Sequence, residues 1–336
     1  MALRLIEMVL QEKDGDDVRA LLNECKVLEH RQIHLVNGEV LVRILLDAEQ
    51  SETVLDLLDK RYADRKGNRV VILPVEATLP RVEPEPEIAA TSEQSPPEEK
   101  SPERIGREEL YEDIKNGARL SRVYMSMVAL STVVAAIGLN HNSVAIIIGA
   151  MVIAPLLGPN VALSLGITLG DLLLLRQGLL TALAGVAAAL ALSVIIGMLL
   201  NVDPTLSEMA SRTTVGMGDI AVALASGSAG ALAFTTGVSA TLIGVMVAVA
   251  LLPALVTSGL LLGGGHLVLA INAFSLFLVN LICVNLAGVT TFVLQGIKPT
   301  SWSEKDRAVK ATRIAIALSV VLLVALVCII LLVRKG

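Results

Sequence analysis

The residues of this chain best able to do chemistry sit at interruptions in oily sequence. IGAMVIAPLLGPN, at 148–160, holds Pro155, Gly158, Pro159 and Asn160 inside a run apolar enough to cross a membrane. A proline inside a helix removes one backbone N–H and clashes with the preceding turn, freeing a carbonyl oxygen. In lipid such an oxygen needs a partner, from another helix or from a wet cavity. The pattern predicts a helix that ends or unwinds over 156–160. Ser164 and Asp171 follow closely. A later Gly- and Ala-rich segment carries Asp219, Ser226, Ser228, Thr235, Thr236 and Ser239, and Pro253 comes after it. Hydroxyls and exposed carbonyls can replace the hydration shell of an ion or small polar solute. These residues together form the candidate solute-binding set. Each has a plainer reading beside it. Small residues let helices approach closely, so Ser226 to Thr236 also reads as a packing face. Asp171 and Asp219 are the acids nearest the apolar spans, and an intramembrane acid is a functional candidate. Asp171 also stands where it would cap the next helix or pair with Arg176. Asn272, Asn280 and Asn285 read as interhelical hydrogen-bonding groups.

Other chemistries find little support. There is no nucleophile motif, and no acids are paired at catalytic spacing, so no enzyme is expected. Cys25, Cys283 and Cys328 are isolated, which suggests neither a disulfide framework nor a zinc site. His30 and His34 are four apart, but they fall on a predicted strand and read as surface groups. No metal, no cofactor and no nucleic-acid partner are expected. His141 and His266 fall in predicted outer loops and read as solvated.

These residues are set in a chain of two contrasting halves. Residues 1–119 carry 17 Lys and Arg against 26 Asp and Glu; residues 120–336 carry 10 against 6. The first part reads as an acidic soluble domain and the second as a polytopic membrane domain. The opening MALRLIEMVLQEKDGDD is charged too early for an apolar signal core, so no cleaved leader is expected.

Within 1–78 the pattern predicts strands at 3–10, 27–36, 39–47 and 68–76 and helices at 14–25 and 51–62. Asp is expected to cap the first helix and Ser51 the second. Asn37-Gly38 is a two-residue hairpin signal. The order βαββαβ is the ferredoxin-like split pattern. Such a domain could hold a small regulatory ligand or serve assembly. Residues 79–103 are rich in Pro, Glu and Ser and read as an extended, disordered linker. Residues 104–120 read as an interfacial helix, with Leu110, Ile114 and Leu120 on one side.

Seven apolar segments follow, at about 121–140, 143–168, 172–200, 214–235, 238–262, 267–296 and 312–333. Lys and Arg near the span ends place the N-terminus in the cytoplasm and the C-terminus outside, in the cell inner (plasma) membrane. IGVMVAVALLPAL, from Ile243, repeats IGAMVIAPLLGPN at an offset of 95, and VALAS at 222–226 echoes VALST at 128–132. We therefore expect one three-helix repeat over 121–200 and another over 201–297, with 298–336 forming a loop and a seventh span. An odd number of spans inverts the second repeat, as in many secondary transporters. Pro253 is expected to break the second copy as Pro155 and Pro159 break the first.

GAMVIAPLLGPNVALSLGITLGD (149–171), GVMVAVALLPALVTSGL (244–260) and VVILPVEATLP (70–80) resemble the bacterial and archaeal membrane family called domain of unknown function 389. That family often shows two adjacent prolines in the second motif; here the second position is Ala254. The resemblance implies the architecture and carries no established activity.

The expected fold is a membrane all-α bundle of about seven transmembrane helices on an inverted three-helix repeat, behind a cytosolic ferredoxin-like α+β domain. The expected function is a transporter or channel-like permease for a small polar solute or ion, with the lipid bilayer and further copies of the chain as partners. The alternative is a membrane sensor or scaffold that moves nothing. A permease predicts a polar cavity at 155–160 and 226–239; a scaffold predicts that those groups are satisfied by protein.

Overall fold

The computed structural model describes residues 3–22, 25, 27–36, 38–62, 69–75, 78, 105–236 and 240–297, and singly 309, 316, 317 and 321. The expected linker at 79–103 and the body of the expected seventh span lie outside the described residues. Two compact units divide the chain, Met1–Glu109 and Leu110–Gly336.

The first unit is a four-stranded sheet with two helices: β1 (Leu3–Gln11), α1 (Glu12–Leu21), β2 (Glu29–His34), β3 (Glu39–Asp47), α2 (Ala48–Tyr62) and β4 (Val70–Val75). Sheet order is β2-β3-β1-β4 and every pair is antiparallel, the arrangement of the split βαββαβ pattern. Period-two alternation explains the core. Ile6, Met8 and Leu10 of β1 and Val40, Val42, Ile44 and Leu46 of β3 face one way. There they meet Val18 and Leu22 of the α1 segment and Val54, Leu58 and Tyr62 of α2.

Two expected helix starts are corrected. α1 begins at Glu12, directly after β1, with Gln11 at its N-cap and no side-chain cap. The Glu12 N–H instead donates to the Gly38 carbonyl at 3.1 Å, so the β2–β3 hairpin pins this junction. Gly38 takes φ +70°, the left-handed region that the hairpin signal requires. α2 begins at Ala48, and Ser51 lies inside it, donating to the Ala48 carbonyl at 2.6 Å. Asp47 stands at the start, accepting from the Glu49 N–H at 3.5 Å.

The second unit is helical. α3 (Arg107–Gly117) contains the division between the units. It is followed by α4 (Arg122–Asn140), α5 (Val144–Ile153), α6 (Leu157–Leu169), α7 (Leu172–Leu199), α8 (Ser207–Ala210), α9 (Met217–Thr235), α10 (Ala240–Gly263) and α11 (Leu267–Leu294). Leu110 and Ile114 are fully buried, but Leu120 lies past the end of α3 and is exposed, contrary to expectation. The chain breaks there because Ser121 caps a new helix, accepting the Tyr124 N–H at 3.0 Å.

Among the described residues, α4, α7, α9 and α11 are each long and apolar enough to cross a membrane, and α5 with α6 forms a fifth candidate, bent by 53°. This is a membrane protein by the length and composition of its helices. α10 is a continuous helix of 24 residues that contains Pro253. The expected break at Pro253 is therefore absent. One further regularity stands out in the helix bounds. α4 covers 122–140 and α9 covers 217–235; α7 covers 172–199 and α11 covers 267–294. Both pairs are offset by 95 residues at both ends.

Packing in this unit follows small residues. The buried stripe of α7 includes Thr181, Gly185, Ala189, Ser193 and Gly197, each four residues after the last. A Cβ on Gly197 would stand 2.8 Å from the Cα of Leu260 on α10, and one on Gly259 would stand 2.7 Å from the Cβ of Ser193. Without a hydrophobic drive between helices in lipid, this close backbone approach supplies the packing.

Candidate functional site

The break lies slightly before its expected place. Ala154 ends α5 in extended backbone (φ −67°, ψ 120°), Pro155 follows, and α6 begins at Leu157. Gly158, Pro159 and Asn160 therefore open a helix; they do not unwind one. In the first turn the N–H groups have no intrahelical partner, so the N–H that proline lacks costs nothing at Pro159.

Gly158 serves a close contact. A Cβ there would stand 2.8 Å from the carbonyl carbon of Gly117, and closer still to its oxygen. The C-terminal turn of α3 thus rests on the first turn of α6. α7 secures that end of α3: Gln177 Nε2 donates to the Lys115 carbonyl at 2.9 Å, and Thr181 Oγ1 donates to the Ala118 carbonyl at 2.9 Å. The carbonyls that a helix end leaves open are satisfied by side chains of another helix.

One turn further along α6 is a buried polar seam with α11. Asn160 Nδ2 donates back to the Leu156 carbonyl at 2.8 Å. Its Oδ1 accepts from Asn285 Nδ2 at 3.3 Å, and Asn285 Nδ2 also reaches the Leu281 carbonyl at 3.0 Å. Ser164 Oγ lies 3.2 Å from the Asn160 carbonyl and 3.3 Å from both the carbonyl and Oδ1 of Asn285. Thr168 Oγ1 donates to the Ser164 carbonyl at 2.8 Å. A Cβ on Gly288 would stand 2.6 Å from Ser164 Oγ, so glycine there admits the hydroxyl. α9 packs on the neighbouring face of α11 at the same level: a Cβ on Gly227 would stand 2.8 Å from Val284 Cα and 2.9 Å from Ala287 Cβ. Ser226 and Ser228 flank that contact, half-buried. Thr235 and Thr236 donate to carbonyls of their own helix, at 2.7 and 3.1 Å. Ser239 lies outside the described residues.

The two acids both act as helix-start groups. Asp171 Oδ1 accepts the N–H groups of Leu173 and Leu174 at 2.8 and 3.2 Å, and its Oδ2 accepts from Tyr111 Oη of α3 at 2.7 Å. Tyr111 is its side-chain partner, and Arg176 is exposed. Burial, and then the bond to Asp171, push the Tyr111 phenol well above its ordinary pKa. Asp219 accepts the Gly216 N–H at 2.8 Å at the start of α9.

Asp219 has a second setting. It lines a cavity of about 210 Å³ with Ser211, Arg212, Val222, Ala254, Leu276 and Asn280. Arg212 also pairs with Glu208 at 2.9 Å. Ala254 directly follows Pro253, and Asn280 sits midway along the 28 residues of α11. Arg212, in the turn before α9, and Asp219, in its first turn, thus meet Asn280 where the start of α9 lies beside the middle of α11. The sequence pattern singled out Asp219 here but left Arg212 and Asn280 outside the candidate set. No spacing rule connects a turn residue with residues on two different helices. Among the described residues no group of three or more His, Cys, Asp or Glu is arranged to hold a metal.

A family model described as "Domain of unknown function (DUF389)" matches residues 151–286. The matched stretch runs from inside α5 into α11, and includes the break, both partners of the Asn160–Asn285 seam and every lining residue of the Asp219 cavity. An uncharacterized protein of the archaeon Methanocaldococcus jannaschii is 38% identical over 291 residues, which is 86% of this chain and 87% of that protein. No solved structure matches.

Proposed function

We propose that the chain, which belongs to the DUF389 family, is a membrane permease for a small polar solute or ion. The observation that carries this reading is the cavity lined by Arg212, Asp219 and Asn280 at mid-length of α10 and α11. Charge among lipid-spanning helices is costly and is retained where it serves a solute path. The chemistry moves solute without breaking bonds, so the protein is not an enzyme.

The same reading includes an inverted repeat. It is supported by the recurrence of helix bounds at 95 residues. It is also supported by reciprocal packing: α7 of the first copy lies on α10 of the second, and α11 of the second lies on α6 of the first. With three spans in each copy, the second enters the membrane from the opposite face, as in transporters whose sites lie at the repeat interface. The excess of Lys and Arg at one set of span ends puts the N-terminal domain in the cytoplasm and the C-terminus outside. There that domain regulates or assembles the membrane part, and the stripes of small residues favour a homo-oligomer.

The test is flux. Protein reconstituted in liposomes is screened with a panel of small inorganic ions, amino acids and polyols. Transport of one class, lost in Asp219→Asn and Asn280→Leu but kept in Gly149→Ala, supports the proposal. A panel without flux overturns it.

A non-transporting sensor or scaffold is the second reading. It is favoured by the Asn160–Ser164–Asn285 seam, whose groups are satisfied by protein as that reading expects. On that reading, Ser164→Ala changes stability and nothing crosses the liposome wall.

A further inference from the structure

The N-terminal unit contains a second cavity, of about 300 Å³, lined by Arg19 and Leu22 of the α1 segment, Val27, and His30 and Gln32 of β2. β2 is an edge strand, six residues long. His30 pairs with Ile44 and Gln32 with Val42, and both partners belong to the core under the helices. Both side chains therefore stand on the helix side of the sheet, beneath α1. The volume is at the low end of small-molecule sites, roughly 300–1,000 Å³.

Among the described residues the lining is basic and amide in character and includes no acid. Most other arginines described in this unit have carboxylate partners: Arg4 with Glu109, Arg31 with Glu29, Arg43 with Glu7, Arg61 with Asp17, and Arg107 with Glu52 and Asp56. Among the described residues Arg19 makes no such pair and lines the cavity instead. His30 Nε2 is shielded from solvent and has no hydrogen-bond partner among the described residues. Burial, and then the charge of Arg19, lower the His30 pKa below its ordinary value, so the imidazole faces Arg19 uncharged. A guanidinium is built to hold a planar or tetrahedral oxyanion through paired N–H groups.

We propose that this cavity binds a small oxyanion, a carboxylate or a phosphate, held by Arg19 with His30 and Gln32 completing the site. The assignment does not depend on transport and can fail or hold separately from it.

The test uses the full chain in detergent, titrated calorimetrically with inorganic phosphate in one arm and succinate in the other, against sodium chloride of equal ionic strength. One of the two anions binds saturably, and which one does distinguishes a phosphate ligand from a carboxylate ligand. Arg19→Gln weakens that binding at least tenfold. Arg31→Gln, whose arginine pairs with Glu29 on the same strand, leaves it unchanged. Arg19 is exposed, so its variant is expected to fold, and an unshifted unfolding midpoint checks this. Binding of neither anion beyond the chloride control overturns the proposal, as does binding that Arg19→Gln leaves intact.

Discussion

Two glycines of the same motif are predicted to respond to alanine with opposite sign. A Cβ on Gly149 meets nothing within 4 Å, whereas one on Gly158 meets the Gly117 carbonyl group, with its carbon at 2.8 Å and its α-carbon at 3.4 Å. The obstacle is backbone, so no side chain can swing aside. Either α3 lifts from α6 or α6 shifts. Forcing an extra methyl into a packed contact costs typically about 1–3 kcal/mol, and an approach this close to backbone belongs at the upper end. Removing glycine from a helix returns up to about 1 kcal/mol of backbone entropy. The net for Gly158→Ala is a loss of about 2 kcal/mol. Gly149→Ala keeps only the gain, up to about 1 kcal/mol. In a domain of this size 1 kcal/mol moves the midpoint by about 2–4 °C, so Gly158→Ala should fall by about 4–8 °C and Gly149→Ala should rise or hold. Thermal unfolding of both variants in one detergent measures the difference. A Gly158→Ala protein as stable as wild type refutes the contact between α3 and α6.

Asn285→Ala removes a donor from a buried seam and should cost about 1–3 kcal/mol in unfolding free energy. Paired with Ser164→Ala in a double-mutant cycle, it should show coupling of about 0.5–3 kcal/mol; strict additivity would mean that the two groups do not share a network. Tyr111→Phe should cost about 1.5–3 kcal/mol, the range for a hydrogen bond to a charged group. Tyr111 has a raised folded-state pKa, so its stabilisation is present below the unfolded value of about 10 and is lost as pH rises through the folded value. Wild type should therefore lose its advantage over Tyr111→Phe only in strongly alkaline buffer, and a loss near neutral pH would contradict the Asp171 bond. His30 has a lowered pKa, so its contribution is present above about 6.5 and falls away as pH drops toward the folded value. Comparing unfolding midpoints of wild type and His30→Gln between pH 7.5 and 5 should show wild type losing more.

Much of the architecture was legible because it follows from local period and composition. Alternation along LRLIEMVL and EVLVRILLD exposed two strands and their inward faces, since a strand buried on one side must alternate. The Asn37-Gly38 signal located the hairpin, because Gly38 needs a backbone conformation that few other residues adopt. Among the described residues hydropathy located four spans and a bent fifth candidate, and the 95-residue echo in sequence reappears in the helix bounds.

Two breaker signals stand differently in the fold. Gly158-Pro159 looks like a helix breaker when read alone, but a first turn has no N–H bond for proline to lose, so the same residues begin α6. Pro253 looks like its counterpart, yet α10 continues through it.

By itself, then, the sequence determined the element order of the N-terminal domain, the contrast between acidic domain and oily bundle, and the 95-residue echo within that bundle. Hydrophobic period and charge act locally along a chain and need no knowledge of neighbours. Only the tertiary structure decided which polar groups meet: Tyr111 with Asp171, Asn160 with Asn285, and Arg212, Asp219 and Asn280 around one cavity. Those meetings depend on how helices cross and at what level. Crossing and level are set by the close approach of small residues such as Gly117 to Gly158 and Gly227 to Val284, which no spacing along the chain encodes.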